Sequence, residues 1–172
     1  VTLSSPGSVI VPVMEGSRVL LVELQALVVH SGYGMGKRTF QGVDANRATL
    51  MIAAMDKVLE LKLFTKDIFL NVIGGLKITE TCLDLAIIVS IMSSLYMAPL
   101  KRKIGVIGEV GLTGEVRAVS HVAQRVKELE NMGFDECILP LKTKATFPKG
   151  ASIKPIYVET VLDVIRELFP SN

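Results

Sequence analysis

Cationic side chains next to glycine are the first feature of this sequence with the makings of chemistry. Gly32, Gly34 and Gly36 run directly into Lys37 and Arg38. Glycines at this density let a backbone turn tightly or come close to a ligand. A phosphate-cradling loop, however, needs GxxxxGK followed by Ser or Thr, and Arg38 stands in that last place. The expectation is therefore a flexible hairpin with basic residues at its root, able, with Tyr33 and Phe40 nearby, to reach a ligand. A second basic run, Lys101, Arg102 and Lys103, precedes an expected strand, and Arg47 and Arg117 stand apart from both runs. Such side chains, if aimed at phosphates, give salt-dependent and sequence-independent binding. Each has a plainer reading. The 101–103 run also reads as a solvated turn between helix and strand, and Arg117 as a bridge to Glu109 or Glu115. Three tyrosines and no tryptophan argue against a platform for stacking single strands.

The two cysteines, Cys82 and Cys137, lack the short spacing of metal ligands, and His30 and His121 complete no set with them. Cys82 lies in an apolar run and Cys137 at an expected strand start. Buried free thiols in a reducing compartment are the natural reading.

These residues need elements to hold them. Of 172 residues 49% are apolar and 21% charged, with a net charge of +2. That suits one globular domain over 1–172 and excludes a long disordered tail. A dedicated nucleic-acid module is often more basic, so a cationic face would depend on placement. No stretch reaches 18 uninterrupted apolar residues and no basic segment precedes an apolar run at the start, so neither a membrane span nor a signal peptide is expected. Residues 6–14 and 19–29 read as a strand hairpin around a turn at 15–17. Asp44 or Asn46 is placed to cap a helix to about 61, with Leu50, Ala54, Val58 and Leu61 on one stripe. Strands follow at 69–73 and 104–107, around a helix at 83–96 that is apolar nearly all round. Val116 and Val119 flank a short return strand. Ser120 is placed to cap a helix to 132, with Val122, Ala123, Val126, Leu129 and Met132 as its apolar positions and Gln124, Arg125, Lys127, Glu128 and Glu130 toward water. A strand at 137–139, a lysine-rich loop, a strand at 156–158 and a helix at 161–169 close the chain. The fold class is α/β (α+β), a mixed sheet packed with helices.

Four segments carry a resemblance: PGSVIVPVMEGSRVLLVELQALV at 6–28, GVDANR at 42–47, NVIGGLKITETCLDLAI at 71–87 and GEVGLTGEVRAV at 108–119. Together the chain resembles, over nearly its whole length, the C-terminal Lon-protease-like domain of the RadA (Sms) family of bacterial DNA-repair ATPases. The resemblance implies a Lon proteolytic-domain-like fold with a core like domain 2 of ribosomal protein S5. It implies DNA repair and recombination as the setting, in a cytoplasmic, DNA-dependent, helicase-like ATPase that promotes branch migration. The implied partners are duplex or branched DNA, further copies of the chain in a ring expected to be a hexamer, and the recombinase RecA. ATP, Mg2+ and zinc are implied for the full-length protein and no cofactor for this domain. The family's Walker A lysine, KNRFG motif and zinc-finger cysteines are not in this sequence, so a fragment of a longer chain is expected.

The likeness to Lon also raises a serine–lysine dyad, whose lysine must be neutral to take the nucleophile's proton. Matching the segments puts Cys82 at the serine position and Ala123 at the lysine position, a degenerate site without its base. Glu80 and Asp84 stand where Lon has small residues. A Cys82–His121 pair is the rival reading. The other rivals are an active peptidase, which requires a lysine at Cys82, and a ring-forming scaffold that does not touch DNA. Leu20, Leu21 and Val22 put apolar groups on both faces of one strand, which suits a neighbouring subunit or a covering helix.

Overall fold

In the computed structural model, residues 5–32 and 34–170 are described. Tyr33, expected beside the glycine loop, lies outside them. The expected hairpin forms from β1 (Ser8–Glu15) and β2 (Arg18–His30), paired antiparallel with Ile10 opposite Glu23 and Pro12 opposite Leu21. Strand alternation explains β2: Val22, Leu24 and Ala26 are buried, while Gln25, Leu27 and Val29 are exposed. The 9–13 stretch of β1 contains no exposed residue, because two helices pack on this strand.

Five further strands extend the hairpin on both sides: β3 (Arg38–Gln41), β4 (Lys66–Val72), β5 (Ile104–Val106) and, after a short separate ribbon, β8 (Glu136–Pro140) and β9 (Lys154–Val158). The result is a seven-stranded mixed sheet in the order β3-β4-β2-β1-β5-β8-β9. Strand β8 runs parallel to both of its neighbours, β5 and β9. The ribbon is two-stranded, β6 (Glu109–Val110) antiparallel to β7 (Val116–Arg117). The architecture is mixed α/β.

Helix α1 (Ala45–Leu59) begins at Asp44, whose carboxylate accepts the N–H groups of Asn46 and Arg47. Its buried stripe is Ala48, Met51, Ile52, Ala54 and Met55, and Leu50 is exposed. The stripe expected through Leu50 is thus rotated, because the two methionines face the core in its place. Helix α2 (Asp84–Leu95) is buried at 84–94, as its uniform apolar character predicts; it packs on β1, β2 and α1. Helix α3 (Val122–Asn131) packs on β1 and β2, and α4 (Val161–Leu168) packs on β9 and α2 behind a Thr160/Asp163 capping box. Several expectations for α3 fail. His121, in a left-handed conformation, is its N-cap in place of Ser120; Ala123 and Met132 are exposed, and Arg125 is fully buried.

Candidate functional site

The corner expected to be a degenerate protease site is built where β1, a short turn at Thr81–Leu83 and α3 meet. The turn is tied to the β5–β6 connection, Gly108 donating its N–H to the Cys82 carbonyl at 3.1 Å and accepting from Leu85 at 3.0 Å. Cys82 is thereby fixed at the start of α2, buried, within reach of Glu80 and of α3.

Arg125 comes down from α3 into this corner. Its guanidinium donates to the Ser120 carbonyl at 2.8 Å and the Pro12 carbonyl at 2.9 Å. It meets both Glu80 oxygens, at 3.1 and 2.6 Å, and lies 3.4 Å from Cys82 Sγ. Glu80 in turn accepts the Met14 N–H at 2.6 Å, and Cys82 Sγ donates to the same oxygen at 3.5 Å. One buried cation therefore ties β1, the 81–83 turn and the α3 entry together, with its charge matched by one carboxylate.

The protonation states follow. Burial works to raise the Glu80 carboxyl, but the hydrogen bonds from Arg125 and Met14 prevail and hold it below the usual range. Burial pushes the Cys82 thiol up to about 12, against the pull of Arg125. The thiol is thus protonated at neutral pH, and Glu80 is too weakly basic and too fully engaged to take its proton. The cation at Cys82 is Arg125 rather than a lysine, and a guanidinium cannot act as that base. Ala123 is exposed on α3, and His121 is exposed with its Nδ1 2.9 Å from Ser120 Oγ. The arrangement gives a structural latch and leaves nucleophilic catalysis without a base.

A second ion pair, its carboxylate buried and its arginine partly exposed, stands at the first residue of α2. Arg47 makes a two-pronged contact with the fully buried Asp84, Nε to Oδ1 at 2.9 Å and Nη2 to Oδ2 at 2.5 Å, and also donates to the Val110 carbonyl. Asp84 accepts the Val110 N–H as well. Burial raises the Asp84 carboxyl, opposed by Arg47. The expectation that Arg47 contacts DNA meets this competing role, since it fastens α1 to α2 and β6.

The other basic candidates divide by side-chain type. Arg38 donates to the carbonyls of Lys66 at 2.5 Å, Leu63 at 3.1 Å and Lys37 at 3.4 Å. Arg102 grips Glu136 through two bonds, at 2.9 and 2.6 Å, and Glu167 through one at 3.1 Å, which raises its pKa. Arg117 bridges Glu115 at 2.9 Å and approaches Glu109 at 4.0 Å, the plainer of its two readings. Lys37, Lys101 and Lys103 are exposed. Lys101 and Lys103 flank a structural arginine, on a different element from the glycine loop.

Sequence reasoning missed Arg125. The signal was present: it stands three residues after Val122 and four before Leu129, on the stripe that packs inward. A charged type at an inward position reads as polar surface until its partners are seen. Among the described residues no group of three or more His, Cys, Asp or Glu side chains could hold a metal ion, and no helix is long and apolar enough to cross a membrane.

A family model described as subunit ChlI of Mg-chelatase matches residues 45–143. The chain is 44% identical over 164 residues to the DNA repair protein RadA of Chlamydia pneumoniae, covering 94% of this chain and 36% of that protein. It is 43% identical over 162 residues to RadA of Bacillus subtilis, covering 94% and 35%. With RadA of Helicobacter pylori the identity is 44% over 136 residues, covering 79% and 30%. The chain spans little more than a third of the first two relatives' length.

Proposed function

The chain belongs to the family described as subunit ChlI of Mg-chelatase and is homologous to part of the bacterial DNA repair protein RadA; on that premise we propose that it is a noncatalytic DNA-contacting and oligomerisation domain of a DNA-dependent ATPase that promotes branch migration in recombinational repair. The observation that carries this reading is the similarity to RadA along 94% of the chain. The latch of Arg125 and Glu80 on Cys82 supports the noncatalytic part. On this reading the chain is one domain of a longer cytoplasmic protein, with the Lon-like fold and a core like domain 2 of ribosomal protein S5. ATP, Mg2+ and zinc belong to the remainder of that protein, and the partners are DNA, RecA and further copies of the chain in a hexameric ring.

Physical chemistry favours lysines as the DNA contacts here. Arg38, Arg47 and Arg102 spend their donors inside the molecule, whereas Lys37, Lys101 and Lys103 remain exposed. A second reading, a ring-forming scaffold without DNA contact, is favoured by the apolar side chains left uncovered on the central strands and beyond: Leu27 is 53% exposed, Val29 38% and Ile73 40%.

Anisotropy of a labelled duplex titrated with the chain at low and raised salt separates the readings. Direct contact predicts binding that weakens with salt. The Lys101→Ala/Lys103→Ala variant, which leaves the Arg102 clamp intact, should lower the log–log salt slope by about 2 if both lysines meet phosphates. An unchanged slope in that variant, lost on Lys37→Ala, would move the contact to the glycine loop. No binding at low salt by a folded sample would leave the scaffold reading.

A further inference from the structure

At one end of the sheet two loops are fastened together, and their tip displays apolar side chains. Phe64 is 60% exposed and Met35 80%. An exposed aromatic ring forgoes favourable burial, and the backbone around this one is strained and held. Glu60 and Lys62 are both non-glycine residues in the left-handed region, at φ 53° and 55°, a conformation that costs free energy and persists only where surroundings enforce it. Asp56 enforces it from α1: its carboxylate accepts the N–H groups of Leu61 and Leu63, each at 3.1 Å. Leu63 is fully buried beneath. Arg38 holds the same turn from β3, through the carbonyls of Leu63 and Lys66.

The glycine loop is joined to this turn. Ser31 donates to the Thr65 carbonyl at 3.0 Å, Gly36 to the Phe64 carbonyl at 2.6 Å, and Lys37 to Asp67 Oδ1 at 2.7 Å. A Cβ at Gly36 would lie 1.8 Å from the Lys66 carbonyl oxygen, so only glycine permits the approach. Leu63, one residue before Phe64, is anchored while Phe64 is turned outward. Beside it in these joined loops stand the exposed Lys37 and Lys62 and the partly exposed Lys66.

We propose that the Phe64 tip, flanked by Lys37, Lys62 and Lys66, is a contact for an unpaired nucleotide, the ring stacking on the base and the lysines meeting the neighbouring phosphates. The chain is too poor in aromatic residues for a platform that stacks successive bases, but one aromatic face with adjacent cations has the chemistry to hold a single unpaired nucleotide, which needs no sequence-specific hydrogen bonds. The proposal rests on the DNA-contacting reading and deepens it, naming the strand with unpaired bases as the ligand of this end of the molecule. Arg38 then acts as a positioning residue, holding the turn from which the ring projects.

The chain contains no tryptophan, so Phe64→Trp supplies a single fluorescent reporter. The expected result is saturable quenching of that tryptophan by a short oligothymidylate and little change with a fully paired duplex. In anisotropy, Phe64→Ala should weaken oligothymidylate binding about tenfold, the loss of one base stack, with duplex affinity and thermal midpoint unchanged. Oligothymidylate binding with an unmoved tryptophan signal and unchanged affinity in Phe64→Ala would overturn the tip proposal and leave DNA contact elsewhere intact. A tryptophan that responds to phosphatidylserine vesicles and not to oligothymidylate would overturn it in favour of a membrane-seeking tip. No binding of any oligonucleotide by the unmodified chain would overturn the parent reading and this proposal with it.

Discussion

Arg125 places a full charge where the protein is otherwise apolar, and four groups receive it: the Pro12 and Ser120 carbonyls, Glu80 and the Cys82 sulfur. Removing a buried ion's partner is costly because the remaining charge and carbonyls lose their donors. Arg125→Ala should therefore destabilise by about 3 kcal/mol, at the lower end for buried pairs because Glu80 keeps some contact with water. Urea unfolding measures this, and a change under about half a kcal/mol would mean the latch holds nothing. Glu80→Gln combined with Arg125→Met should recover part of the loss, since neither member is then left charged alone. The same chemistry explains what was hard to read at this scale. A residue's type tells an arginine's charge but not its direction. Of the arginines that could face phosphates, Arg47 and Arg102 are committed to carboxylates distant in sequence, Asp84 and Glu136. Cys82 was legible as a buried thiol, because the run that follows it, 83–89, is apolar but for Asp84 and belongs to a helix that must pack inward.

Elements whose structure is imposed by their own side chains were legible. The β1–β2 hairpin follows from alternation around Gly16, and α2 from an unbroken apolar surface. Helix α1 begins where its capping chemistry says it should. Asp44→Ala, which frees the N–H groups of Asn46 and Arg47, should lower stability by about 1 kcal/mol. A midpoint in chemical unfolding unchanged from the parent would show that water replaces the cap without loss. Strand β3 was not legible. Arg-Thr-Phe-Gln has no apolar alternation of its own, and it is a strand because β4 offers it a parallel register, Arg38 beside Ile68 through Gln41 beside Asn71. Pairing of this kind is a property of the neighbour and leaves little trace in the segment itself. The N-terminus of α3 eludes the sequence for a related reason: Ser120 has the side chain of a cap, but its carbonyl and hydroxyl are engaged by Arg125 and His121.

Across the whole molecule, the ionisable groups held away from their ordinary pKa values set how stability varies with pH. Arg102 holds the Glu136 carboxyl below its ordinary 4.5, and Arg125 and Met14 hold Glu80 below it against burial. A carboxylate depressed by folding contributes stability above its unfolded value and loses it as pH falls through the folded one. Asp84, raised by burial, offsets part of that acid loss. On the alkaline side, burial pushes Cys82 and Cys137 from 9.0 up to about 12. A group raised by folding contributes fully below its unfolded value. As pH climbs above 9.0 the unfolded chain ionises its thiols and the folded chain does not, so stability should fall until about 12. The molecule should thus be most stable on a plateau between these two limbs, and the limbs should respond to different substitutions. Urea midpoints across the pH range test this with two variants. Replacing both cysteines by alanine should flatten the alkaline limb, even though the small cavities lower the whole curve. Glu136→Gln should flatten the acid limb and leave the alkaline one unchanged. Curves for the cysteine variant that run parallel to the parent above pH 9.0 would remove the buried thiols from the account.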